Sequence, residues 1–301
     1  MALSETSTTV VTDHPFPKRF HIFGNGISFS ISPTIHNAGF KHHGLPHTYD
    51  IRESPDIDGV GHLITSEDFG GASVTMPHKL QVHKFCHQQT ETGKLIGAIN
   101  TLVVRGDGDD RVIIGDNTDW SGLYSIMSSY KKRRGGGSLG TGLVIGAGGA
   151  SRAALYAMHR AGVQKILLWN RTPSVAESVR KAFAGVFDIT IIPSLEDVTQ
   201  QPDVLIGTIP ADVTTEQQFQ GIFGKPKGLC IDMAYKPRET PLLRVAKSKE
   251  GWETITGVQV LLAQGFDQYR LWTGLEAPRD AIVDAVIAHE NGEKIEIEGK
   301  L

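Results

Sequence analysis

Four short polar segments bring together side chains that could bind and react with a small polyhydroxy acid. They supply hydroxyl, amide, carboxylate and ammonium groups, and they are Ser30–Pro33, Ser73–Lys79, Ala98–Thr101 and Gly115–Asp119. Each segment lies at the end of a predicted strand or just before a predicted helix, where loops tend to form pockets. No cluster of His or Cys joins them, so the pattern predicts an organic ligand and no metal site.

A glycine-rich turn in the second half of the chain predicts a dinucleotide site. Gly146, Ala147, Gly148, Gly149 and Ala150 follow a predicted strand and open a predicted helix. Glycine permits the tight turn and lets backbone N–H groups approach a pyrophosphate, whose charge the helix N-terminus stabilises. Because the flanking strand, helix and second strand are all present, the motif is more specific than a lone glycine triplet. A glycine-rich turn without a ligand is the alternative interpretation.

The end of the next predicted strand indicates which cofactor this turn would bind. An enzyme that uses NAD usually has an acidic residue there for the ribose 2′-hydroxyl. This chain has Asn170, Arg171 and Thr172 instead. Arg171 could pair with a 2′-phosphate and stack on the adenine, although a plain surface arginine is the alternative. NADP is therefore the predicted cofactor, with NAD as the second choice.

The order of predicted strands and helices indicates an α/β fold with two domains. Residues 1–119 are predicted to form an α/β substrate-binding domain, and helices within residues 258–301 are predicted to pack back on it. Residues 120–257 alternate strand and helix in the manner of a Rossmann-type dinucleotide-binding domain. The sequence therefore predicts a ligand site in the cleft between the two domains.

Local signals add three details to this organisation. Ser32 is expected to cap a helix whose first residue is Pro33, because proline is tolerated at that position. Residues 131–142 are basic and then rich in glycine, so they are expected to form an exposed linker. The last two helices are predicted at residues 258–271 and 279–291.

Composition and charge exclude several classes of protein. The 301 residues carry 30 Lys and Arg against 33 Asp and Glu, which gives no electrostatic reason to expect nucleic acid or an anionic membrane as partner. No apolar run is long enough to span a membrane, and residues 1–13 lack the pattern of a secretory signal. The two cysteines, Cys86 and Cys230, suit a reducing compartment. A cytoplasmic monomer or homodimer that acts on a small molecule is expected.

Taken in chain order, these motifs closely resemble the shikimate dehydrogenase family, which includes the quinate dehydrogenases. The resemblance runs from about Phe20 to Gly274. It is carried by the paired serines before Pro33, Val-Thr-Met-Pro-His-Lys ending at Lys79, Asn-Thr-Leu from Asn100, Asn-Thr-Asp ending at Asp119, the glycine turn, Asn-Arg-Thr from Asn170, Tyr235 followed by Thr240-Pro241-Leu242, and Gln264 before Leu271-Trp272-Thr273-Gly274.

The resemblance implies a role for each matching residue. It implies carboxylate binding by Ser30, Ser32 and Tyr235, and binding of ring hydroxyls by Thr75, Asn100 and Gln264. It implies that Lys79 and Asp119 form the catalytic pair. The cofactor contacts are expected at the glycine turn, at Asn170–Thr172 and at Gly257.

The chemistry of an alcohol dehydrogenase supports the assignment of Lys79 and Asp119 independently. Oxidation of a secondary alcohol removes the hydroxyl proton as a hydride leaves the carbon, and a lysine beside an aspartate can hold the hydroxyl and exchange that proton. In the reverse direction Lys79 would protonate the oxygen of the forming alcohol. The alternative interpretation is a structural salt bridge between the two side chains.

Several positions depart from the pattern of the family and leave alternatives open. They are Phe29 in place of His, Ser73 in place of Asn, Gly207-Thr208-Ile209-Pro210 in place of the usual turn, Val175 in place of a second arginine and Val260 in place of Met. The main hypothesis is NADP-dependent interconversion of shikimate and 3-dehydroshikimate. A quinate or modified-shikimate dehydrogenase, with NAD as a cofactor option, is the first alternative. A catalytically silent protein that binds the same metabolites is the second.

Overall fold

Two six-stranded sheets form the framework of the computed structural model, which describes residues 16–196 and 198–290. The first sheet is built from the first part of the chain and the second from the middle part, and helices cover both. The α/β architecture expected from the sequence is therefore confirmed. No helix in the described ranges is long and apolar enough to cross a membrane.

The first sheet is mixed and has the strand order β2-β1-β3-β5-β6-β4. Its strands are β1 (Arg19–Gly24), β2 (Thr48–Glu53), β3 (Phe69–Val74), β4 (Gln88–Gln89), β5 (Thr101–Arg105) and β6 (Val112–Asp116). The strand β1 pairs in parallel with β2 and β3, whereas β5 runs antiparallel to both β3 and β6. All but the first residue of β1 are buried, which fits its central place and its apolar sequence.

Three helices belong to the same part of the chain. They are α1 (Ser32–His42), α2 (Gly61–Ile64) and α3 (Glu91–Ile96). The prediction that Ser32 caps α1 is wrong, because the helix begins at Ser32 itself and its N-cap is Ile31, which has no capping side chain. The Ser32 hydroxyl therefore does not cap the backbone N–H groups of α1. In α3 the hydroxyl of Thr90 does accept a hydrogen bond from the Gly93 N–H, at 3.0 Å.

The second sheet is entirely parallel, with the order β12-β11-β10-β7-β8-β9. Its strands are β7 (Thr141–Ile145), β8 (Lys165–Trp169), β9 (Ile189–Ile191), β10 (Val204–Gly207), β11 (Gly228–Asp232) and β12 (Trp252–Ile255). The remaining helices are α4 (Asp119–Arg133), α5 (Gly149–Ala161), α6 (Pro173–Ala182), α7 (Pro241–Lys247), α8 (Gly257–Thr273) and α9 (Arg279–His289). A parallel sheet with crossover helices is the Rossmann-like arrangement that the sequence predicts.

The expected linker at residues 131–142 is shorter in the structure. Residues 131–133 form the last turn of α4, and β7 begins at Thr141. Basic residues stabilise the C-terminal turn of a helix because the helix dipole is negative there, so this charge run extends α4. The buried side chains of Leu123, Ile126, Met127 and Tyr130 form the apolar face of α4.

The C-terminal helices return to the first part of the chain, as predicted. The helix α8 starts beside β11 and ends under the first sheet, where the Trp272 indole N–H donates to the Leu102 carbonyl at 2.9 Å. The helix α9 packs on α1, and its Ile282 and Val286 share one buried cluster with Ile31 and Ile35. Asn291, the predicted last residue of this helix, lies outside the described residues. The domain boundaries at residues 119 and 257 stay a prediction.

Candidate functional site

A cavity of about 930 Å³ opens between the two sheets and receives residues from both. Its walls come from segments that follow β1, β3, β10 and β11, together with α4, α5 and α8. Seven of the predicted site residues line it: Thr75, Lys79, Asp119, Ala150, Tyr235, Gly257 and Gln264. The cavity volume suits a small ligand and part of a cofactor.

The charged pair lies in the wall of this cavity. The Lys79 ammonium donates a hydrogen bond to Asp119 Oδ2 at 2.5 Å, and the two side chains are 14% and 7% exposed. Asp119 is the first residue of α4, where the positive end of the helix dipole stabilises a carboxylate. The other oxygen, Asp119 Oδ1, accepts a hydrogen bond from Asn100 Nδ2 at 3.0 Å. These contacts hold the pair in one position, and the Lys79 ammonium lies where the N-terminus of α4 meets the cavity.

Amide and hydroxyl groups form a buried network behind the charged pair. Asn100 Nδ2 also lies 3.0 Å from Gln264 Oε1, and Asn100 Oδ1 accepts from the Thr118 N–H at 2.6 Å. The Thr118 hydroxyl donates to Gln264 Oε1 at 3.0 Å, and the Thr101 hydroxyl donates to Asn100 Oδ1 at 2.7 Å. Each amide thus has a fixed orientation, which gives the site rigid donors and acceptors.

Two serines and a tyrosine occupy a second part of the site. The Ser30 hydroxyl donates to Ser32 Oγ at 3.1 Å, and both serines are buried. The Tyr235 phenol lies beside Ser30, and burial raises the pKa of Tyr235. Ser30, Ser32 and Asn100 are not part of the cavity wall itself, whereas Tyr235 is. The structure thus brings Ser30 and Tyr235 together, as it brings Lys79 and Asp119 together.

The glycine turn has the geometry that a pyrophosphate requires. Gly146 has φ +110°, and an added Cβ would lie 2.5 Å from Thr208 Oγ1, so only glycine fits between the turn and the end of β10. An added Cβ on Gly148 would meet nothing within 4 Å, which leaves open space in front of the turn. The helix α5 begins at Gly149, and Ser151 is fully buried where the helix crosses the sheet. These residues fit a bound dinucleotide phosphate.

The glycine turn also contacts the charged pair directly. A Cβ placed on Gly149 would lie 3.1 Å from Lys79 Cβ and 3.7 Å from Ala98 Cβ. The next residue, Ala150, lines the same cavity as Lys79. A ligand at the turn and a ligand at the lysine would therefore be neighbours.

The predicted cofactor-selecting segment lies at the end of β8. The Asn170 side chain donates to the Thr172 carbonyl at 2.9 Å, which shapes the turn. Arg171 is exposed, and no acidic residue occurs between Asn170 and Val175. Gly257, at the start of α8, packs against the Ala234 carbonyl so closely that a Cβ would lie 2.5 Å from that oxygen.

Sequence reasoning missed part of the site. It gave no role to Thr118 or Thr101, although Thr118 lies within the Asn-Thr-Asp motif and could have been noticed there. It also missed Gln268, whose side chain donates to the Asn100 carbonyl at 3.2 Å and accepts from Ser73 Oγ at 2.9 Å. Gln268 lies one helical turn after Gln264 on α8, so the i, i+4 spacing was the available signal. In the described ranges no group of three or more His, Cys, Asp or Glu side chains could hold a metal ion.

The fold and the site together define a class of protein. A parallel sheet with a glycine turn at the start of its first crossover helix binds dinucleotides, and here that turn lies against a lysine–aspartate pair in a shared cavity. This combination is typical of the NAD(P)-dependent dehydrogenases that oxidise an alcohol.

Comparisons with known proteins identify the family. Three family models match: the shikimate dehydrogenase substrate binding domain at residues 22–102, shikimate / quinate 5-dehydrogenase at residues 133–241, and the shikimate 5'-dehydrogenase C-terminal domain at residues 257–287. The chain is 30% identical to Mycobacterium tuberculosis shikimate dehydrogenase, with a TM-score of 0.77, over 91% of this chain and 100% of that one. The chain belongs to the shikimate dehydrogenase family of oxidoreductases, which act on a CH–OH group.

Two further relatives are similar over most of this chain. The pentafunctional AROM polypeptide of Schizosaccharomyces pombe is 39% identical over 284 residues, which cover 90% of this chain. The chain spans only 18% of the length of that polypeptide. Shikimate 5-dehydrogenase from Thermus thermophilus, solved in complex with NADP(H) and shikimate, is 28% identical with a TM-score of 0.76, over 90% of this chain and 99% of that one.

Proposed function

We propose that this chain catalyses the reversible NADP-dependent oxidation of shikimate to 3-dehydroshikimate. The observation that carries the proposal is the contact between the lysine–aspartate pair and the glycine turn. The Lys79 ammonium is bonded to Asp119 at 2.5 Å, and the same lysine packs against Gly149 in the turn. An alcohol held at Lys79 would therefore lie next to a cofactor held at the turn.

The serine pair and the amide network would orient the substrate. Ser30, Ser32 and Tyr235 offer hydroxyl donors to a carboxylate, and they already lie together, with the two serines joined by a hydrogen bond and Tyr235 beside Ser30. At the other end Thr75, Asn100 and Gln264 would bind ring hydroxyls. Asn100 and Gln264 are held by several hydrogen bonds, so a substrate would not need to order them on binding.

The proton chemistry belongs to Lys79 and Asp119. The nicotinamide, when bound, accepts or supplies the hydride. During oxidation the neutral amine form of Lys79 takes the hydroxyl proton and becomes the ammonium, and during reduction the ammonium gives a proton to the ketone oxygen and becomes the amine again. Asp119 keeps the lysine in place through Oδ2, while its Oδ1 remains tied to Asn100 at 3.0 Å. Both side chains are mostly buried, and a substrate and cofactor that fill the cavity would exclude water from this exchange.

The cofactor would be held by backbone groups and by Arg171. The open space before Gly148 and the N-terminus of α5 fit a pyrophosphate, with Gly146, Ala147, Gly149 and Ala150 completing the turn. Arg171, with Asn170 and Thr172, would bind the 2′-phosphate, because no carboxylate in this segment would repel it. The Thermus thermophilus relative, whose complex contains NADP(H), supports NADP in preference to NAD.

A four-way assay tests the proposal. Purified protein is given shikimate or quinate, each with NADP or NAD, and the absorbance of the reduced nicotinamide is followed. Shikimate with NADP is expected to give the highest kcat/KM. Higher activity with quinate would establish the quinate alternative, to which Phe29 and Ser73 point.

Ligand-induced shifts in melting temperature with no turnover in any of the four combinations would contradict the proposal. That result would favour a metabolite-binding protein without catalysis. The expected cytoplasmic location and the expected monomer or homodimer stay predictions.

A further inference from the structure

One charged side chain at the cavity, Lys236, has no role in the proposed reaction. It follows Tyr235 in the turn after β11, it lines the cavity, and it is exposed. Its ammonium lies 4.3 Å from the centroid of the Phe29 ring. The face of an aromatic ring attracts a cation at this distance, so the ring holds the ammonium at this end of the cavity.

The Phe29 ring connects this ammonium to the serine pair. Phe29 directly precedes Ser30, and its ring packs edge-on against Tyr235 with the centroids 5.6 Å apart. Tyr235 in turn lies beside Ser30. The ammonium, the phenol and the serine hydroxyls therefore form one group of donors at the same end of the site.

The positive charge of Lys236 remains available for a ligand. The neighbouring cation, Arg238, forms a two-point ion pair with Glu290. Lys236 forms no ion pair with a carboxylate in residues 16–196 and 198–290. Three other charged residues line the cavity. Lys79 and Asp119 neutralise each other. Asp212 follows β10, and the residues at the end of β10 contact the glycine turn.

We propose that Lys236 is a second binding group for the substrate carboxylate and selects an acid over a neutral analogue. This inference rests on the proposed function. Ser30, Ser32 and Tyr235 carry no charge, so their preference for a carboxylate over a neutral amide comes only from the stronger hydrogen bonds that an anion accepts. The ammonium adds a charge-assisted interaction that only the anion can make.

The test compares shikimate with its carboxamide, which has the same shape without the charge. For Lys236→Met, KM for shikimate is expected to rise about 5- to 20-fold, the range between an exposed and a partly buried charge-assisted contact. The KM for the carboxamide is expected to stay the same. The kcat with either substrate is expected to change by less than about twofold, because the lost interaction stabilises the bound substrate and the transition state equally. Lys236→Arg should restore most of the affinity for shikimate.

Lys227→Met is the matched control, because Lys227 is also exposed but lies in the turn before β11 and does not line the cavity. It should behave as the native protein. Salt gives a second readout: KM for shikimate in the native protein should rise between low and high ionic strength, and this dependence should be smaller in Lys236→Met.

A double-mutant cycle tests the contribution of the ring. Phe29→Leu should raise KM for shikimate less than Lys236→Met does, and the double variant should resemble Lys236→Met alone, because the ring acts by placing the ammonium.

Equilibrium binding of both ligands is measured by calorimetry alongside the kinetics. In one outcome, native protein binds and oxidises shikimate, but Lys236→Met weakens binding of the acid and of the carboxamide equally, or weakens binding of neither. The proposed role of Lys236 is then wrong and the proposed function stands. If native protein binds the acid without turnover and Lys236→Met weakens only the acid, the proposed function fails and the role of Lys236 stands. No binding of shikimate by native protein overturns both.

Discussion

At the scale of single residues, the site depends on a charge pair that its neighbours hold in place. The Lys79–Asp119 contact is mostly buried, and a carboxylate left there without its lysine would be strongly destabilised. The hydrogen bond from Asn100 and the start of α4 offset part of this cost for Asp119. The lysine can therefore exchange its proton while the aspartate remains fixed.

Replacement of the lysine separates catalysis from binding. In Lys79→Ala, kcat should fall about 100- to 10,000-fold, the usual contribution of a positioned acid or base. Binding of shikimate should remain largely intact, because the serine pair and the amides do not depend on Lys79. Stopped assays of turnover and calorimetric titration with shikimate measure the two quantities. Unchanged turnover in this variant would contradict the mechanism.

A second buried carboxylate, Asp232, should make stability depend on pH. Burial raises the pKa of Asp232 from its ordinary value of 3.8 to about 6, against opposing hydrogen bonds from the Thr240 hydroxyl and the Ala234 N–H. The folded chain therefore keeps this proton at a higher pH than the unfolded chain does. Its contribution to the free energy of unfolding is greatest below about pH 4, falls between pH 4 and 6, and is constant above.

Asp232→Asn removes this ionisation and keeps a partner for Thr240. The free energy of unfolding of the variant, relative to the native protein, should therefore increase by about 2–3 kcal/mol between pH 4 and pH 7. Urea denaturation at several pH values measures the difference. A difference that stays constant with pH would show that Asp232 does not titrate in this range.

At the scale of secondary structure, the crossing of α4 and α8 sets the position of the amide network. Gly122 lies at the crossing, and a Cβ added there would be 2.7 Å from the Gln264 backbone nitrogen and 3.1 Å from its Cα. Backbone atoms cannot rotate away as a flexible side chain can. The two helices would therefore have to separate, and Gln264 would move from Asn100.

Gly122→Ala should destabilise the protein even though alanine is the better helix former. The gain in helix propensity is about 1 kcal/mol, whereas overpacking costs about 1–3 kcal/mol, so a net loss is expected. The kcat should fall as well, because Gln264 and Asp119 lie on the displaced helices. Chemical denaturation and steady-state kinetics test this. Gly221→Ala, where a Cβ meets nothing within 4 Å, is the control.

At the turn between β7 and α5, by contrast, an added methyl group should weaken cofactor binding and leave stability unchanged. A Cβ on Gly148 contacts no protein atom within 4 Å, so Gly148→Ala should fold with native stability. The added methyl group would occupy the space that the pyrophosphate needs. The KM for NADP should rise at least about tenfold, equivalent to about 1.4 kcal/mol of binding free energy, with KM for shikimate little changed. An unchanged KM for NADP would mean that the dinucleotide does not approach this turn.

The sequence predicted elements best where the signal is local. The turn at Gly146 and the strand β8 follow from neighbouring residues, and both are found where expected. The helix α4 was not predicted, because its serines and Gly122 are weak helix formers and its apolar face is recognised only once α5 and α8 cover it. The link between Asn100 and Gln264 joins residues 164 positions apart, so no local pattern could show it.

At the scale of the whole molecule, one hydrophobic core contains residues from both parts of the chain. The largest cluster contains Ile96 and Ala98 from the first part of the chain, residues of α4, strands of the second sheet, and Val260 and Ala263 of α8. Neither part can lose its packing there without exposing apolar surface of the other. The two sheets should therefore unfold together.

Differential scanning calorimetry tests this expectation. The ligand-free protein should give one heat-absorption peak, with a calorimetric enthalpy close to the van't Hoff enthalpy. NADP and shikimate together should move this peak to higher temperature without splitting it. Two resolved peaks in the ligand-free protein would show that the shared core does not couple the two sheets.

The path of α8 limits where the chain can change in length. Gly257 touches the Ala234 carbonyl near the expected cofactor, Gln264 meets Asn100, and Trp272 bonds to Leu102 under the first sheet. One inserted residue within α8 would rotate everything after it by about 100° and advance it by about 1.5 Å, so these three contacts could not coexist. At Gly135, Gly136 and Gly137, by contrast, nothing lies within 4 Å of an added Cβ, so insertions and deletions should be tolerated there.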